Sequence, residues 1–313
     1  MNDFSQATWK SQTGADLAVR IMETSKNSIS GAKAVIHINH GMAEHSARYE
    51  RFARALAAAG YHAIAHDHRG HGYTTADDAP LGTFSNKDGL QKALEDIHFV
   101  NFQIRRKYPE IPIVYFGHSM GAILGSNYCI HHSDTIDGAA LWNFNVDGSV
   151  LVSVFSILLK IERALKGSDV PSLLAMKLTF EDWNKKFKPN RTDFDWLTRD
   201  EAEVDKYIAD PLCGFPVSVG MWLNTIQCIQ NGGSDSQLGK IRNDLPFHLL
   251  GGQSDPSSMY GKCLERLGAR LGKLGNKDVT VRTLPDTRHE TLNELNRDEA
   301  TAAFVQWLDQ RWG

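Results

Sequence analysis

The run Ile111-Pro112-Ile113-Val114-Tyr115-Phe116-Gly117-His118-Ser119-Met120-Gly121-Ala122-Ile123-Leu124 decides the fold. Its first half, Ile111 to Phe116, is apolar and rich in β-branched and aromatic residues, the pattern of a buried strand. From Ala122 to His131 the sequence reads as a helix. Between them stands Gly117-His118-Ser119-Met120-Gly121, a match to G-x-S-x-G. Glycines on either side of Ser119 permit a sharp strand-to-helix turn that holds the serine side chain in a strained, exposed position. A serine that merely caps a helix in a glycine-rich turn gives the same letters. The weight therefore rests on the flanking strand and helix.

Outward from this turn, strands and helices alternate. After the turn signal Thr13-Gly14, Asp16 to Ile21 reads as part of a hairpin. Ala34 to Ile38 is a short strand ending at His40-Gly41, and Arg48 to Ala59 is a helix stopped by Gly60. Tyr61 to His66 is a strand closed by the polar loop Asp67-His68-Arg69-Gly70-His71-Gly72. Leu90, Leu94, Ile97, Val100 and Ile104 recur at helical spacing within Leu90 to Tyr108, and Gly138 to Trp142 is a further strand. From Asn143 to Asn243 no strand-helix unit occurs. The alternation resumes with Phe247 to Leu250, a helix around Met259 to Leu271, the strand Val279 to Arg282 and a last helix from Asp298 to Leu308. This predicts an α/β protein with a mostly parallel, doubly wound sheet and helices on both faces. Its core, 1–142 and 244–313, is interrupted by a mainly helical insertion, 143–243, and insertions of that length usually serve function.

Composition narrows the function classes. The 34 Lys+Arg against 37 Asp+Glu give a net charge of -3, so no broad positive field favours nucleic acid, and no local basic cluster replaces it. Four cysteines without a C-x-x-C spacing (Cys129, Cys213, Cys228 and Cys263) read as free thiols in a reducing, cytoplasmic setting. Met1 to Gln6 lacks the basic start and apolar run of a signal peptide. The most apolar stretch, Val150 to Leu159, falls short of the roughly 18 residues that span a bilayer, which leaves contact with a membrane surface open.

A serine hydroxyl needs a base within hydrogen-bond reach and an acid to orient that base. Leu250-Gly251-Gly252-Gln253-Ser254-Asp255-Pro256 places Asp255 just past the strand that follows the insertion. Leu284-Pro285-Asp286-Thr287-Arg288-His289 places His289 in the loop after the next strand. The order Ser119, Asp255, His289 is that of α/β-hydrolases, and all three lie beyond strand carboxyl ends, where open sheets build their sites. Asp255 also fits a simple turn before proline, and Asp286 is the alternative acid. Acyl transfer requires backbone N–H donors for an oxyanion. The amide of Met120 follows the nucleophile, and the amide of Met42, in the loop after the Ala34 to Ile38 strand, is the second candidate.

The stretches His40-Gly41-Met42-Ala43-Glu44-His45-Ser46-Ala47-Arg48-Tyr49, Asp67 to Gly72 and Gly117 to Gly121 resemble the monoacylglycerol lipase / lysophospholipase branch of the serine α/β-hydrolases. Asp255 and His289-Glu290 fit it too, so the resemblance covers nearly the whole chain, least of all the insertion. It implies an α/β-hydrolase fold with a cap, no cofactor, and an ester substrate carrying an acyl chain. It also implies that Glu44, His45, Arg48 and Tyr49 shape the oxyanion loop, although a hydrogen-bonded helix start explains them equally. One departure is Tyr73-Thr74, where the branch usually has a serine two residues after the last glycine. The branch also includes peptidase and thioesterase-like members, and a short-chain carboxylesterase is a further alternative.

Three other chemistries compete. His66-Asp67-His68-Arg69-Gly70-His71 approximates an H-x-H-x-D-H metal motif, but Gly70 stands where the motif has aspartate. The spacing from His40 to His45 is one residue too long for H-x-x-E-H, so no metal is assigned. A non-catalytic binding protein on this fold would usually lack part of the triad. Epoxide-hydrolase and dehalogenase chemistry needs an aspartate in place of Ser119. Within the insertion, Val150, Leu151, Val154, Phe155, Leu158, Leu159, Ile161 and Leu165 give one helix a broad apolar face, with basic residues towards its end. Such a helix either packs in the cap or lines an acyl tunnel and touches lipid.

Overall fold

The computed structural model describes residues 4–25 and 31–313. Residues 1–3 of the stretch read for a targeting signal, and 26–30 within the predicted core, lie outside the described residues. Eight strands form one sheet: β1 (Ser5–Lys10), β2 (Asp16–Met22), β3 (Val35–Asn39), β4 (His62–His66), β5 (Ile113–His118), β6 (Gly138–Trp142), β7 (Phe247–Gly252) and β8 (Val279–Leu284). Their order is β1-β2-β4-β3-β5-β6-β7-β8. β1 with β2 and β2 with β4 are antiparallel, and every pair from β4 to β8 is parallel.

The helices in chain order are α1 (Glu50–Ala59), α2 (Gly89–Lys107), α3 (Met120–His132), α4 (Val150–Lys166), α5 (Leu173–Met176), α6 (Asp182–Asn184), α7 (Glu201–Ala209), α8 (Val219–Gly232), α9 (Asp235–Leu238), α10 (Lys262–Lys273) and α11 (Arg297–Trp312). Because side chains alternate across a strand, the central strands feed two cores. Val35, Ile113, Tyr115, Phe247 and Leu249 pack with α2, α3, α8 and α10 on one face. Ile36, Ile38, Val114, Phe116 and Leu250 pack with α1 and α11 on the other. Both faces are thus covered, as parallel strands require.

Boundaries moved where backbone chemistry overrides apolar pattern. β5 begins at Ile113 because Pro112 has no N–H for the ladder, and it runs on through Gly117 and His118, which pair with Asn39 and Trp142. α10 begins at Lys262 rather than near Met259, since Met259, Tyr260 and Gly261 take successive left-handed φ values of 52°, 61° and 83°. β1 is polar and largely exposed, so apolar alternation does not mark it.

Between β6 and β7 the chain forms α4 to α9 and no strand of the sheet. α8 is bound to α3: Asn127 Nδ2 donates to the Cys228 carbonyl at 2.9 Å, and Asn231 Nδ2 donates to Asn127 Oδ1 at 2.8 Å. All four cysteines are buried and unpaired.

Candidate active site

Ser119 occupies the turn between β5 and α3 with φ 52° and ψ −117°, a region that a residue with a Cβ rarely adopts. The turn is locked from both sides. The Ser119 amide donates to the Trp142 carbonyl at 2.9 Å, and its carbonyl accepts from Ala122 and Ile123 at 2.9 Å each. A Cβ on Gly121 would lie 2.2 Å from the Asn39 carbonyl oxygen, and one on Gly117 2.5 Å from that of Gly121. Only glycine fits at either position.

The loops after β7 and β8 bring Asp255 and His289 to this turn. Ser119 Oγ lies 2.9 Å from His289 Nε2, and His289 Nδ1 lies 3.1 Å from Asp255 Oδ1. Asp255 is fully buried and His289 is 3 % exposed. Burial raises the Asp255 carboxyl, but the His289 charge and hydrogen bonds from His289, Ser257 and Ser258 outweigh it and bring it down to about 2. An ionised carboxylate only accepts hydrogen bonds, so the His289 proton sits on Nδ1 and Nε2 is left to accept from Ser119 Oγ. Asp286, the alternative acid, is exposed with φ 49° and makes no hydrogen bond to His289.

The loop after β3 abuts the same serine. A Cβ on Gly41 would come within 3.3 Å of Ser119 Cβ. The Gly41 amide donates to Glu44 Oε1 at 2.6 Å, whereas the amides of Met42 and Met120 have no acceptor among the described residues. His40 holds the loop from below: Nδ1–H donates to the Gly41 carbonyl at 2.7 Å, and Nε2 accepts the His68 amide at 2.9 Å. Both bonds fit a neutral ring, in keeping with the lowering that burial imposes on His40.

Glu44, Arg48 and Tyr49 form one buried network rather than a plain helix start. Tyr49 OH donates to Glu44 Oε1 at 2.9 Å, and Arg48 bridges Glu44 Oε2 at 2.5 Å to both Glu290 oxygens at 2.7 Å. Burial opposes the charge on Glu44, but Arg48 and His118 hold it well below the usual carboxylate range. His45 pairs outward instead, with Asp210 Oδ2 at 2.8 Å. The departure at Tyr73-Thr74 leaves this framework intact, because Thr74 Oγ1 donates to the Asp67 carbonyl at 2.6 Å and accepts the Ala18 amide at 2.9 Å.

The insertion is fastened to both loops. Tyr207 OH and the Gly214 amide donate to the Ala43 carbonyl at 3.0 and 2.9 Å. The Glu290 amide donates to the Leu197 carbonyl at 2.7 Å, and the Trp196 ring lies 4.7 Å from that of His289. A cavity of about 570 Å³ opens over Ser119, lined mainly by apolar side chains such as Ile123, Phe155, Phe180, Trp222 and Ile226.

Three contributors at the site lack a sequence signal of their own. Trp196 comes from an irregular segment of the insertion. Asn143, at φ 52°, reaches Asp255 Oδ2 with Nδ2 at 3.3 Å and accepts Thr291 Oγ1 at 2.7 Å. Ser257 touches both Asp255 and His289, a role that its place in a turn after Pro256 does not announce.

Among the described residues, the histidine-rich loop does not bring three ligand atoms of His66, Asp67, His68 and His71 together. His66 Nδ1 faces His37 Nε2 at 3.2 Å, and His71 Nδ1–H donates to the Arg69 carbonyl at 3.1 Å. Among the described residues, the His, Cys, Asp or Glu ligand atoms that converge belong to His45, Asp210 and Cys213. Burial pushes the Cys213 thiol up, which disfavours the thiolate a metal needs.

A sharp strand-to-helix turn at Ser119 on a mostly parallel sheet, with Asp255 and His289 in the loops after β7 and β8, defines an α/β-hydrolase. The profile of the serine aminopeptidase S33 family matches residues 30–296, and the chain belongs to that family. It is 32% identical to monoglyceride lipase of Rattus norvegicus over 273 residues, 84% of this chain and 81% of that one. Among solved structures, a thermostable carboxyl esterase from Bacillus coagulans in complex with glycerol superposes with a TM-score of 0.88 at 23% identity, covering 98% of both chains. A soluble variant of the Saccharomyces cerevisiae monoglyceride lipase, in complex with a substrate analog, superposes with a TM-score of 0.75 at 19% identity, covering 100% of this chain and 96% of that one.

Proposed function

We propose that the chain hydrolyses carboxylic esters through Ser119, His289 and Asp255, with monoacylglycerol or lysophospholipid as the substrate class. The observation that carries this reading is the continuous contact from Ser119 Oγ through His289 to Asp255, at 2.9 and 3.1 Å. Ser119 Oγ attacks the ester carbonyl as its proton passes to His289 Nε2, and Asp255 balances the imidazolium. The amides of Met42 and Met120 donate to the oxyanion of the tetrahedral intermediate. Collapse expels the alcohol, which takes the proton from His289. Water then attacks the acyl-enzyme, giving its proton to His289, and the carboxylic acid leaves as Ser119 is restored.

The insertion, 143–243, is on this reading a cap over the core formed by 1–142 and 244–313, and its apolar cavity holds the acyl chain. Similarity to monoglyceride lipases supports the ester class. No helix among the described residues is long and apolar enough to cross a membrane. Peripheral contact is instead assigned to α4, where Leu151, Val154, Leu158, Ile161 and Leu165 are exposed. They follow one another at alternating helical steps, so they form a single outward stripe. Val152 and Phe155, on the adjoining face of the helix, line the cavity.

A hydrolysis panel of p-nitrophenyl esters of rising chain length, monoacylglycerols, lysophospholipids and amino-acid amides tests the assignment. Long-chain monoacylglycerols or lysophospholipids should outpace acetate and butyrate esters. Preference for short esters would replace this reading with a short-chain carboxylesterase, and preference for amides with a peptidase. Activity lost on chelation would favour a metal-dependent hydrolase instead.

A further inference from the structure

Ser257 sits in the loop that carries Asp255, between the Asp255–His289 pair and the cavity that it helps to line. Its hydroxyl donates to Asp255 Oδ1 at 2.7 Å, and its amide donates to the same oxygen at 2.9 Å. The same hydroxyl oxygen lies 2.9 Å from His289 Nδ1, closer than Asp255 Oδ1 at 3.1 Å. Proton placement follows from donor inventory. Asp255 can only accept, so the Ser257 O–H is committed to Oδ1, and the free lone pair of Ser257 Oγ then accepts part of the His289 Nδ1–H. The imidazole proton is shared between two oxygens. One of them is on the acid, and the other is tied to the acid.

We propose that Ser257 is a positioning residue of the active site, acting through His289: it fixes the ring orientation and the Nδ1–H tautomer and keeps water in the cavity away from the Asp255–His289 contact. This inference rests on the triad reading above. Removing the hydroxyl leaves Asp255 Oδ1 with a vacant acceptor site facing the cavity, and Nδ1–H with one longer partner. A freer imidazole spends less time aimed at Ser119, which slows the chemical step and leaves substrate binding unchanged.

The test compares wild-type enzyme with Ser257→Ala, Ser257→Thr and Ser119→Ala on p-nitrophenyl butyrate, together with the low-field proton NMR signal of the imidazole N–H. Ser257→Ala should lower kcat about tenfold, leave KM within about twofold, and broaden the imidazole N–H signal through faster exchange. Its thermal midpoint should stay at the wild-type value, and Ser257→Thr should recover most of kcat. A Ser257→Ala enzyme with wild-type kcat, beside an inactive Ser119→Ala, would overturn this inference alone. Loss of kcat with an unchanged imidazole signal and a lowered midpoint would overturn it too, by assigning Ser257 to folding. An active Ser119→Ala would instead remove the triad reading beneath it.

Discussion

His118 joins the loop after β3 to the loop that carries His289: its Nε2 lies 3.1 Å from the His289 carbonyl oxygen and its Nδ1 3.3 Å from Glu44 Oε1. Both neighbours are acceptors, an arrangement that favours a proton on each ring nitrogen. Burial opposes that charge, but Glu44 outweighs it and raises His118 above the usual histidine range. Glu44 therefore faces both His118 and Arg48 while it takes up the Gly41 amide. It fixes the loop that leaves Met42 N–H free.

Glu44→Ala should accordingly damage both stability and rate. Removing one partner from a buried ionic network strands the others, at a cost of ~3–5 kcal/mol. The loss is read as a lower urea midpoint at unchanged m-value. In the fraction still folded, kcat for p-nitrophenyl butyrate should fall by about 10²-fold, the scale of one displaced oxyanion donor. A wild-type kcat would mean that the loop is held by other contacts.

Acid should unfold this protein early. Burial lowers His37, His71 and His248 each to about 3. His248 shows why the neutral form is required, since its Nδ1 accepts the Trp142 indole N–H at 3.0 Å. An unfolded histidine titrates at ~6.5, so below that value the unfolded chain binds protons that the folded chain refuses. Stability is complete above pH ~6.5 and falls as the pH drops towards 3, by ~1.4 kcal/mol per pH unit for each ring. Three such rings remove ~4 kcal/mol between pH 7.5 and 5.5, a large part of a typical ~5–15 kcal/mol. His118 opposes this, since its raised value contributes stability that is present below pH ~6.5 and lost as the pH rises. Urea midpoints at pH 7.5 and 5.5 check the sum. Equal midpoints would count against it.

Much of this site is legible in the sequence, for a physical reason. The turn at Ser119 is specified by local sterics, because only glycine escapes the carbonyl contacts at positions 117 and 121. Asp255 and His289 could be read because strand order fixes which loops meet at the carboxyl edge. Ser257, Trp196 and Asn143 could not, since their roles depend on contacts with His289 and Asp255 made by tertiary folding. The start of α10 is not legible in the same way, because apolar spacing carries no information about the left-handed turn at Met259 and Tyr260.

The loop that carries His289 also depends on a glycine outside the elbow. A Cβ on Gly252 would lie 2.0 Å from the Thr287 carbonyl oxygen and 2.6 Å from that of Arg288, both backbone atoms. Gly252→Ala must therefore push the His289 loop away from Ser119, and a 1 Å displacement at a reacting group costs about 10² in rate. Gly272, near the end of α10, has nothing within 4 Å of its Cβ position. Gly272→Ala should raise stability by ~0.5–1 kcal/mol and leave activity alone. Denaturant midpoints and kcat for the two variants check both, and an active Gly252→Ala would show that the loop can yield.

The two sides of α4 should separate experimentally. Leu159 is buried and Val152 and Phe155 line the cavity, while Leu151 is 78% exposed, Ile161 53% and Leu165 79%. Burying one large aliphatic side chain is worth ~1.5–3 kcal/mol, so three inserted in a bilayer interface dominate a weak peripheral association. Lys160, Arg163 and Lys166 lie along the same helix and add attraction for anionic headgroups. The triple variant Leu151→Ser, Ile161→Ser, Leu165→Ser should lose at least about tenfold in partitioning to phosphatidylcholine/phosphatidylserine vesicles. Its turnover of soluble p-nitrophenyl butyrate should stay at the wild-type level, because none of the three side chains lines the cavity. Co-sedimentation with vesicles measures the first effect and initial rates the second. Undiminished vesicle binding would move the lipid contact off α4.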